Sequence, residues 1–208
     1  MNDIPCQLYL ISPLDVGGSF PDRLREALEA GPVAAFQFRV KDMDADEAAR
    51  LAAPLKAICD EFDVAFVVND DVALARQLGA DGVHLGQADE SLKNARETLG
   101  HDVQIGITCH DSRHLAMEAG EGGANYVAFG AFFPTTTKET VHRPEPELLA
   151  WWSGMMEIPC VAIGGITPDN CQSLVDAGAD FLAVSGAVWN DPDGPGAAVR
   201  KFADILGE

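Results

Sequence analysis

The feature that most constrains this chain is a repeat. Eight short apolar runs recur along it: "QLYLIS" (7–12), "AAFQFRV" (34–40), "AFVVND" (65–70), "GVHLG" (82–86), "QIGITC" (104–109), "YVAFGAF" (126–132), "CVAIGG" (160–165) and "FLAVSG" (181–186). Between them lie longer amphipathic stretches such as "DADEAARLAAPLKAICDEF" and "TPDNCQSLVDAGA". The second carries a Thr-Pro helix start and is expected to end near Gly178. A unit of roughly 20 to 30 residues is too long for a hairpin and suits a strand followed by a helix. A faint internal echo supports the repeat: "GADGVHLG", "GGANYVAFG" and "GADFLAVSG" each read glycine, small residue, polar residue, strand, glycine. Eight such units fill residues 1–208, which predicts one α/β domain, a single (β/α)8 TIM barrel. An open doubly wound sheet is the alternative, because periodicity does not show closure.

With 208 residues, 47% of them hydrophobic and 23% charged, the chain can bury a core without disulfide or metal staples. Its formal net charge of -19 argues against nucleic acid or an anionic membrane as a partner. It does not exclude a small anion, since charges beyond roughly 8 Å are screened and local residues decide. The five cysteines are scattered and form no CxxC pair, which suits reduced thiols in the cytoplasm. No signal peptide is read at "MNDIPCQLYL", and no window approaches the roughly 18 apolar residues of a membrane span. A homo-oligomer is compatible with the sequence but not specified by it.

In a barrel of this kind the active site is built at the C-terminal ends of the strands. The unusual polar residues gather there. In "FQFRVKD", a period of two puts Gln37, Arg39 and Lys41 on one face and Phe36, Phe38 and Val40 on the other. The aromatic face suits packing under helices, which turns Gln37 and Arg39 into the barrel mouth with Lys41 at its rim. Two cations about 7 Å apart on one face call for an anion. A barrel-spanning salt bridge plus a solvated lysine is the plainer account. "VVND" brings Asn69 and Asp70 to the mouth, and "HLGQAD" adds Gln87 and Asp89. Two carboxylates from adjacent strand ends suit Mg²⁺ that also touches phosphate oxygens. Taken alone, "NDD" reads as a helix N-cap supplied by Asp70 or Asp71.

Thr108 and His110 end the fifth strand; a lone His is usually structural, and His84 inside its strand is read the same way. After the sixth strand, Thr135, Thr136, Thr137 and Lys138 offer hydroxyls, backbone N–H groups and a cation suited to phosphate. A threonine-rich turn with a surface lysine is the plainer account. "AIGGIT" and "AVSG" bring Gly165, Ser185 and Gly186 to the ends of strands 7 and 8, a usual phosphate position in this fold. The residues therefore imply two anions, one near strands 2 to 4 and 6 and another near strands 7 and 8. The loop from Thr135 to Pro144 is polar enough to serve as a lid. Trp151 and Trp152 are read as packing anchors.

The set "QFRVK", "VVND", "GVHLGQAD", "PTTTK", "IGGI" and "VSG", in this order over nearly the whole chain, resembles the thiamine phosphate synthase family. The resemblance implies a (β/α)8 barrel that joins a pyrimidine carrying a diphosphomethyl group to a thiazole phosphate, releasing pyrophosphate with the help of Mg²⁺. It implies that Gln37, Phe38, Arg39, Val40 and Lys41, with Asn69, Thr108 and Lys138, bind the pyrimidine diphosphate. Arg39, Lys41 and Lys138 would stabilise the leaving group, and Asp70 and Asp89 would ligate the metal. Thr135, Thr136, Thr137, Gly165, Ser185 and Gly186 would bind the thiazole phosphate. Two departures stand out. Position 108 is commonly serine in that family, and "YLISP" lacks the aspartate that more often follows its first strand. A thiazole tautomerase-like isomerase, with His110 moving a proton, and a catalytically silent phosphate-ligand binder are the alternatives. Neither the isomerase nor the binder needs the full set of Asp70, Asp89, Arg39 and Lys138.

Overall fold

The computed structural model describes residues 5–135 and 141–207. Eight parallel strands close into a barrel in sequence order: β1 (Gln7–Ile11), β2 (Ala35–Phe38), β3 (Ala65–Asn69), β4 (Gly82–Leu85), β5 (Gln104–His110), β6 (Tyr126–Gly130), β7 (Cys160–Ile163) and β8 (Phe181–Val184). Closure is made by β8 against β1, with Leu8 opposite Leu182. The open doubly wound alternative is thereby set aside. Seven strands stop one or two residues before their apolar run ends, while β5 runs one residue further. At the mouth the chain leaves the ladder, and the released residues include Ser12, Arg39, Asp70 and Ser185.

Two apolar layers follow from the strand alternation. The larger lies between strands and helices and holds Phe36, Phe38, Phe66, Phe129 and Trp152. The smaller fills the barrel with Tyr9, Ile11, Ala35, Val67, Ala128, Val161 and Ala183. Its alanines leave room for the two tyrosines, Tyr9 and Tyr126, that cross the interior edge to face at 6.2 Å between ring centroids. Both tryptophans read as anchors do pack: Trp152 is buried and donates Nε1–H to the Ile158 carbonyl at 2.7 Å, while Arg113 lies over Trp151.

The echo has a physical cause. Its polar residue stands just before an even-numbered strand and caps the preceding odd one. Asp81 accepts the Phe66 N–H at 2.7 Å, Asn125 accepts the Ile105 N–H at 2.8 Å, and Asp180 accepts the Cys160 N–H at 2.8 Å. Each returns its own backbone N–H to the carbonyl of the same residue. The glycines that open the three echoes end helical turns; Gly79, Gly123 and Gly178 have φ of 59°, 90° and 89°, which glycine adopts without a Cβ penalty.

The helices are α1 (Phe20–Ala30), α2 (Ala45–Glu61), α3 (Val72–Leu78), α4 (Leu92–Leu99), α5 (Arg113–Glu121), α6 (Glu147–Ser153), α7 (Gln172–Asp176), α8 (Gly186–Trp189) and α9 (Pro195–Leu206). Eight units were expected; among the described residues β8 is followed by two helices, the first a single turn. The Thr-Pro pair does not start α7. Asn170 instead accepts the Thr167 N–H at 2.8 Å and donates to the Gly165 carbonyl at 3.0 Å, so residues 168–170 turn before α7 begins at Gln172. No helix among the described residues is long and apolar enough to cross a membrane.

Candidate active site

The second strand behaves as its alternation requires. Phe36 and Phe38 lie under the helices, and Gln37 points inward, donating Nε2–H to Tyr9 Oη at 2.9 Å. Phe38 and Val40 can therefore meet a ligand in the mouth only through backbone, since both side chains pack on the outer core. Arg39 follows on the inner side. Its backbone is gripped at both ends by Ser12, whose hydroxyl accepts the Arg39 N–H at 2.9 Å and donates to the Arg39 carbonyl at 3.1 Å. The Arg39 side chain is partly buried, and its Nη1 is buried with no hydrogen-bond partner among the described residues. Burial pulls its pKa down, opposed by the charge of Asp70. A guanidinium stays charged even so, and a buried donor without a partner is costly. An acceptor brought into the mouth would satisfy it.

The Asn-Asp-Asp run divides its tasks. Asp71 caps α3, accepting the Leu74 N–H at 2.8 Å. Asp70 takes no cap; it sits at φ 66°, with its N–H on the His84 carbonyl at 2.8 Å and its carboxylate 2.5 Å from Lys41 Nζ. A left-handed aspartate is a conformation that surrounding structure must hold. Asp89 turns back to accept the Gly86 N–H at 2.7 Å. The two carboxyls interact: burial and then Asp70 push Asp89 above the ordinary range. Burial acts upward on Asp70 as well, but is outweighed by the hydrogen bonds from Lys41 and Asp89, so Asp70 titrates low. Paired carboxylates that resist joint ionisation, facing the Lys41 ammonium, could hold a hard divalent cation.

Beneath them a polar chain runs through the barrel. Tyr9 Oη meets Tyr126 Oη at 3.0 Å, Tyr126 Oη meets His84 Nδ1 at 3.0 Å, and His84 Nε2 meets Thr108 Oγ1 at 2.7 Å. Gln87 Nε2 donates to the Thr108 carbonyl at 2.6 Å, tying the loop after β4 to the end of β5. Sequence reasoning treated His84 as a solitary structural residue; the structure makes it the link between the interior tyrosines and Thr108. His110 lies further along at φ 54°, stacked on His142 at 4.4 Å, and His142 Nδ1 is 2.8 Å from Asp111.

Among the described residues, the other half of the mouth offers mostly backbone. Gly165 has φ 64°, and a Cβ there would stand 2.3 Å from the Pro134 carbonyl oxygen. Ser185 follows β8 and donates to the Ser12 carbonyl at 3.4 Å. Gly186 opens α8, where a Cβ would meet nothing nearer than Asn190 Nδ2 at 3.5 Å. The loop from Thr135 to Pro144 is described at Thr135 and from Val141 onward; Thr136, Thr137 and Lys138 lie outside the described residues.

The strand ends thus bring together Gln37, Arg39, Lys41, Asn69, Asp70, Asp89 and Thr108 on one side and Gly165, Ser185 and Gly186 on the other. Sequence reasoning missed Ser12, Tyr9 and Tyr126. The inward period of "QLYLI" marks Tyr9 as interior, but nothing local marks its partners. The thiols offer no nucleophile: burial raises Cys59, Cys109 and Cys160 to about 12.

A family model described as thiamine monophosphate synthase matches residues 8–188. The thiamine-phosphate synthase of Erythrobacter litoralis is 68% identical, covering 98% of this chain and 97% of its own length. That of Rhodospirillum centenum is 53% identical over 97% and 98%. Among solved structures, thiamine phosphate pyrophosphorylase from Pyrococcus furiosus superposes with a TM-score of 0.86 at 32% identity, covering 97% of this chain and 95% of that one.

Proposed function

The chain belongs to the thiamine monophosphate synthase family, and on that premise we propose that it condenses 4-amino-2-methyl-5-(diphosphomethyl)pyrimidine with thiazole phosphate, giving thiamine phosphate and pyrophosphate. The observation that carries this reading is Arg39. Its half-buried guanidinium, with Nη1 lacking a partner among the described residues, feels the charge of Asp70, which in turn interacts with Lys41 and Asp89. A multiply charged diphosphate supplies the missing acceptors. The whole chain, residues 1–208, acts as one catalytic domain. Its buried free thiols suit a cytoplasmic setting.

The chemistry asks for electrostatics rather than a nucleophile. The bond between the methylene carbon and the diphosphate oxygen breaks, and its electron pair leaves with pyrophosphate. The electron-rich aminopyrimidine carries the cation until the thiazole nitrogen forms the new C–N bond. Arg39, Lys41 and Lys138 stabilise the developing charge on the leaving group. Asp70 and Asp89 fit Mg²⁺, which would neutralise diphosphate oxygens. Gln37 and Asn69, with backbone of residues 38 and 40, orient the pyrimidine diphosphate, and Thr108 donates to it. Thr135, Thr136 and Thr137, with Gly165, Ser185 and Gly186, seat the thiazole phosphate, so that holding both substrates supplies much of the remaining rate.

The isomerase alternative would rest on His110, whose ring is stacked on His142, and it leaves the group of Arg39, Lys41, Asp70 and Asp89 without a task. The test is direct: purified protein is mixed with both substrates, with Mg²⁺ or with a chelator, and thiamine phosphate and pyrophosphate are followed together. Equal, metal-dependent release of both is expected. Thiazole phosphate that binds but is not consumed would overturn the reading in favour of a silent binder.

A further inference from the structure

The buried chain beneath the mouth has a direction, and the direction assigns a role to Tyr126. The chain starts at Gln37, whose Nε2 can only donate. Tyr9 Oη accepts from it, so the single Tyr9 hydrogen goes on to Tyr126 Oη, 3.0 Å away. Tyr126 has then accepted, and its own hydrogen is left for His84 Nδ1 at 3.0 Å. A ring nitrogen that accepts carries no proton, which places the hydrogen of the neutral imidazole on Nε2. That Nε2–H is donated to Thr108 Oγ1 at 2.7 Å. Thr108 has now accepted from below, and its one hydrogen is free to point into the mouth.

The surroundings hold this arrangement. Gly106 interrupts β5 at the one position where a Cβ would lie 1.9 Å from the Tyr126 ring, so a glycine that weakens a strand is used to admit the ring. His84 stacks on Tyr126 at 5.5 Å and 25°, which fixes the imidazole plane. Gln87 pins the Thr108 backbone from the adjacent loop. Burial drives the hydroxyl of Tyr9 to about 12 and that of Tyr126 well above its ordinary value, so both keep the hydrogen that the chain passes on.

We propose that Tyr126 is a positioning residue: acting through His84, it commits the Thr108 hydroxyl to donate to the diphosphate of the pyrimidine substrate. This rests on the reading of Thr108 as a diphosphate contact. Tyr126 itself touches no reacting atom; its effect passes through one ring and one hydroxyl. An uncommitted His84 could instead place its proton on Nδ1, leave Nε2 to accept from Thr108, and turn that hydroxyl inward. The substrate would then meet lone pairs where it needs a donor.

Two measurements test this. The tautomer of His84 is read by NMR on protein containing ¹⁵N-histidine, without substrate, the signal being assigned by its loss in His84→Gln. A proton on Nε2 is expected in the wild type, and a mixture of tautomers in Tyr126→Phe. The second measurement is a double-mutant cycle with Thr108→Val. Tyr126→Phe alone should lower kcat/KM for the pyrimidine diphosphate about tenfold, the worth of one charge-assisted hydrogen bond. KM for thiazole phosphate should move less than about twofold, and in the Thr108→Val background the same substitution should cost less than about twofold. Fully additive losses would overturn the proposal, because a merely structural tyrosine would weaken both backgrounds equally. A wild-type His84 protonated on Nδ1 would overturn it whatever the variants do, including a Tyr126→Phe that fails to fold. A wild type that makes no thiamine phosphate would refute the synthase reading instead, and is distinguishable because the tautomer is measured without turnover.

Discussion

The two halves of the barrel mouth are built differently. The side formed by β2 to β4 holds charged side chains: Lys41, Asp70 and Asp89 interact, Asp70 also acts on Arg39, and one arginine nitrogen has no partner among the described residues. The side formed by β7 and β8 presents, among the described residues, glycine backbone and a hydroxyl, with Gly165 folded against the Pro134 carbonyl and the Ser185 hydroxyl tied to Ser12. The difference matches what each anion does in the proposed reaction. Pyrophosphate gains charge as it departs, so mobile cations and a metal help most when that charge develops. The thiazole phosphate keeps its charge throughout, and a rigid cradle suffices. Ser12 joins the halves, since its hydroxyl holds Arg39 while its carbonyl accepts from Ser185.

The largest effect should come from breaking the charged half alone. Arg39→Gln removes a cation aimed at the leaving group, and kcat should fall about 10²- to 10³-fold. Because Arg39 Nη1 has no partner among the described residues, thermal stability should not fall. KM for thiazole phosphate should move less than about threefold. Lys138→Ala is expected to follow the same pattern. Steady-state kinetics with each substrate varied checks both, and near-normal turnover in either variant would remove that residue from the leaving-group site.

The glycine half should respond in the opposite currency. Gly165→Ala forces a left-handed alanine whose Cβ would approach the Pro134 oxygen to 2.3 Å. A stability loss of about 1–3 kcal/mol in urea unfolding is expected. Gly186→Ala meets only ordinary contacts, so stability should stay within about 0.5 kcal/mol. Its KM for thiazole phosphate should nonetheless rise roughly tenfold if the backbone there approaches the phosphate. Equal KM in Gly186→Ala and wild type would mean that the phosphate sits elsewhere.

The same contrast explains what could be read from the sequence. "FQFRVKD" declared its two faces because alternation is local: Phe38 went out and Gln37 went in, as expected. The echoed Asp81, Asn125 and Asp180 were visible as a pattern, though their work as strand caps was not. The Thr-Pro start misled because Asn170 captures the Thr167 N–H before a helix can use it. His84 looked solitary because Tyr126 is 42 residues away in sequence, and Tyr126 and Tyr9 are 117 apart. Single-sequence reading sees periodicity and neighbours; a hydrogen-bond chain across a barrel has neither. Likewise Ser12 ended an apolar run with no sign that Arg39, 27 residues on, would close on it.

A smaller effect separates the two carboxylates proposed to hold Mg²⁺. Asp89 has its pKa raised above 3.8 by burial first and Asp70 second, so ionising it costs the folded state. That cost is absent below pH 3.8, grows as pH rises through the raised value, and is complete above it. Asp89→Asn should therefore melt slightly higher than wild type in chelator at neutral pH, by a degree or two at most for so exposed a group. The advantage should vanish as pH falls toward the ordinary carboxylate range. Excess Mg²⁺ should reverse the order, because only the wild type gains stability from binding the ion at both carboxylates. A variant that gains as much from Mg²⁺ as the wild type would exclude Asp89 as a ligand.

The smallest expected effect is at Thr108, where serine is the residue usual in the family that this sequence resembles. Thr108→Ser keeps the hydroxyl that accepts from His84 Nε2 and loses only a methyl group. The methyl restricts χ1, so its removal frees a rotor that the bond to His84 already confines. The change in kcat/KM for the pyrimidine diphosphate should stay within about twofold, an energy well under that of one hydrogen bond. A tenfold fall would mean that the β-branched rotamer, rather than the chain leading from Gln37 through Tyr126, is what aims the hydroxyl. In that case Thr108 would be grouped with the rigid half of the mouth, as a residue set by local geometry, and the inward chain would serve only to satisfy buried polar groups.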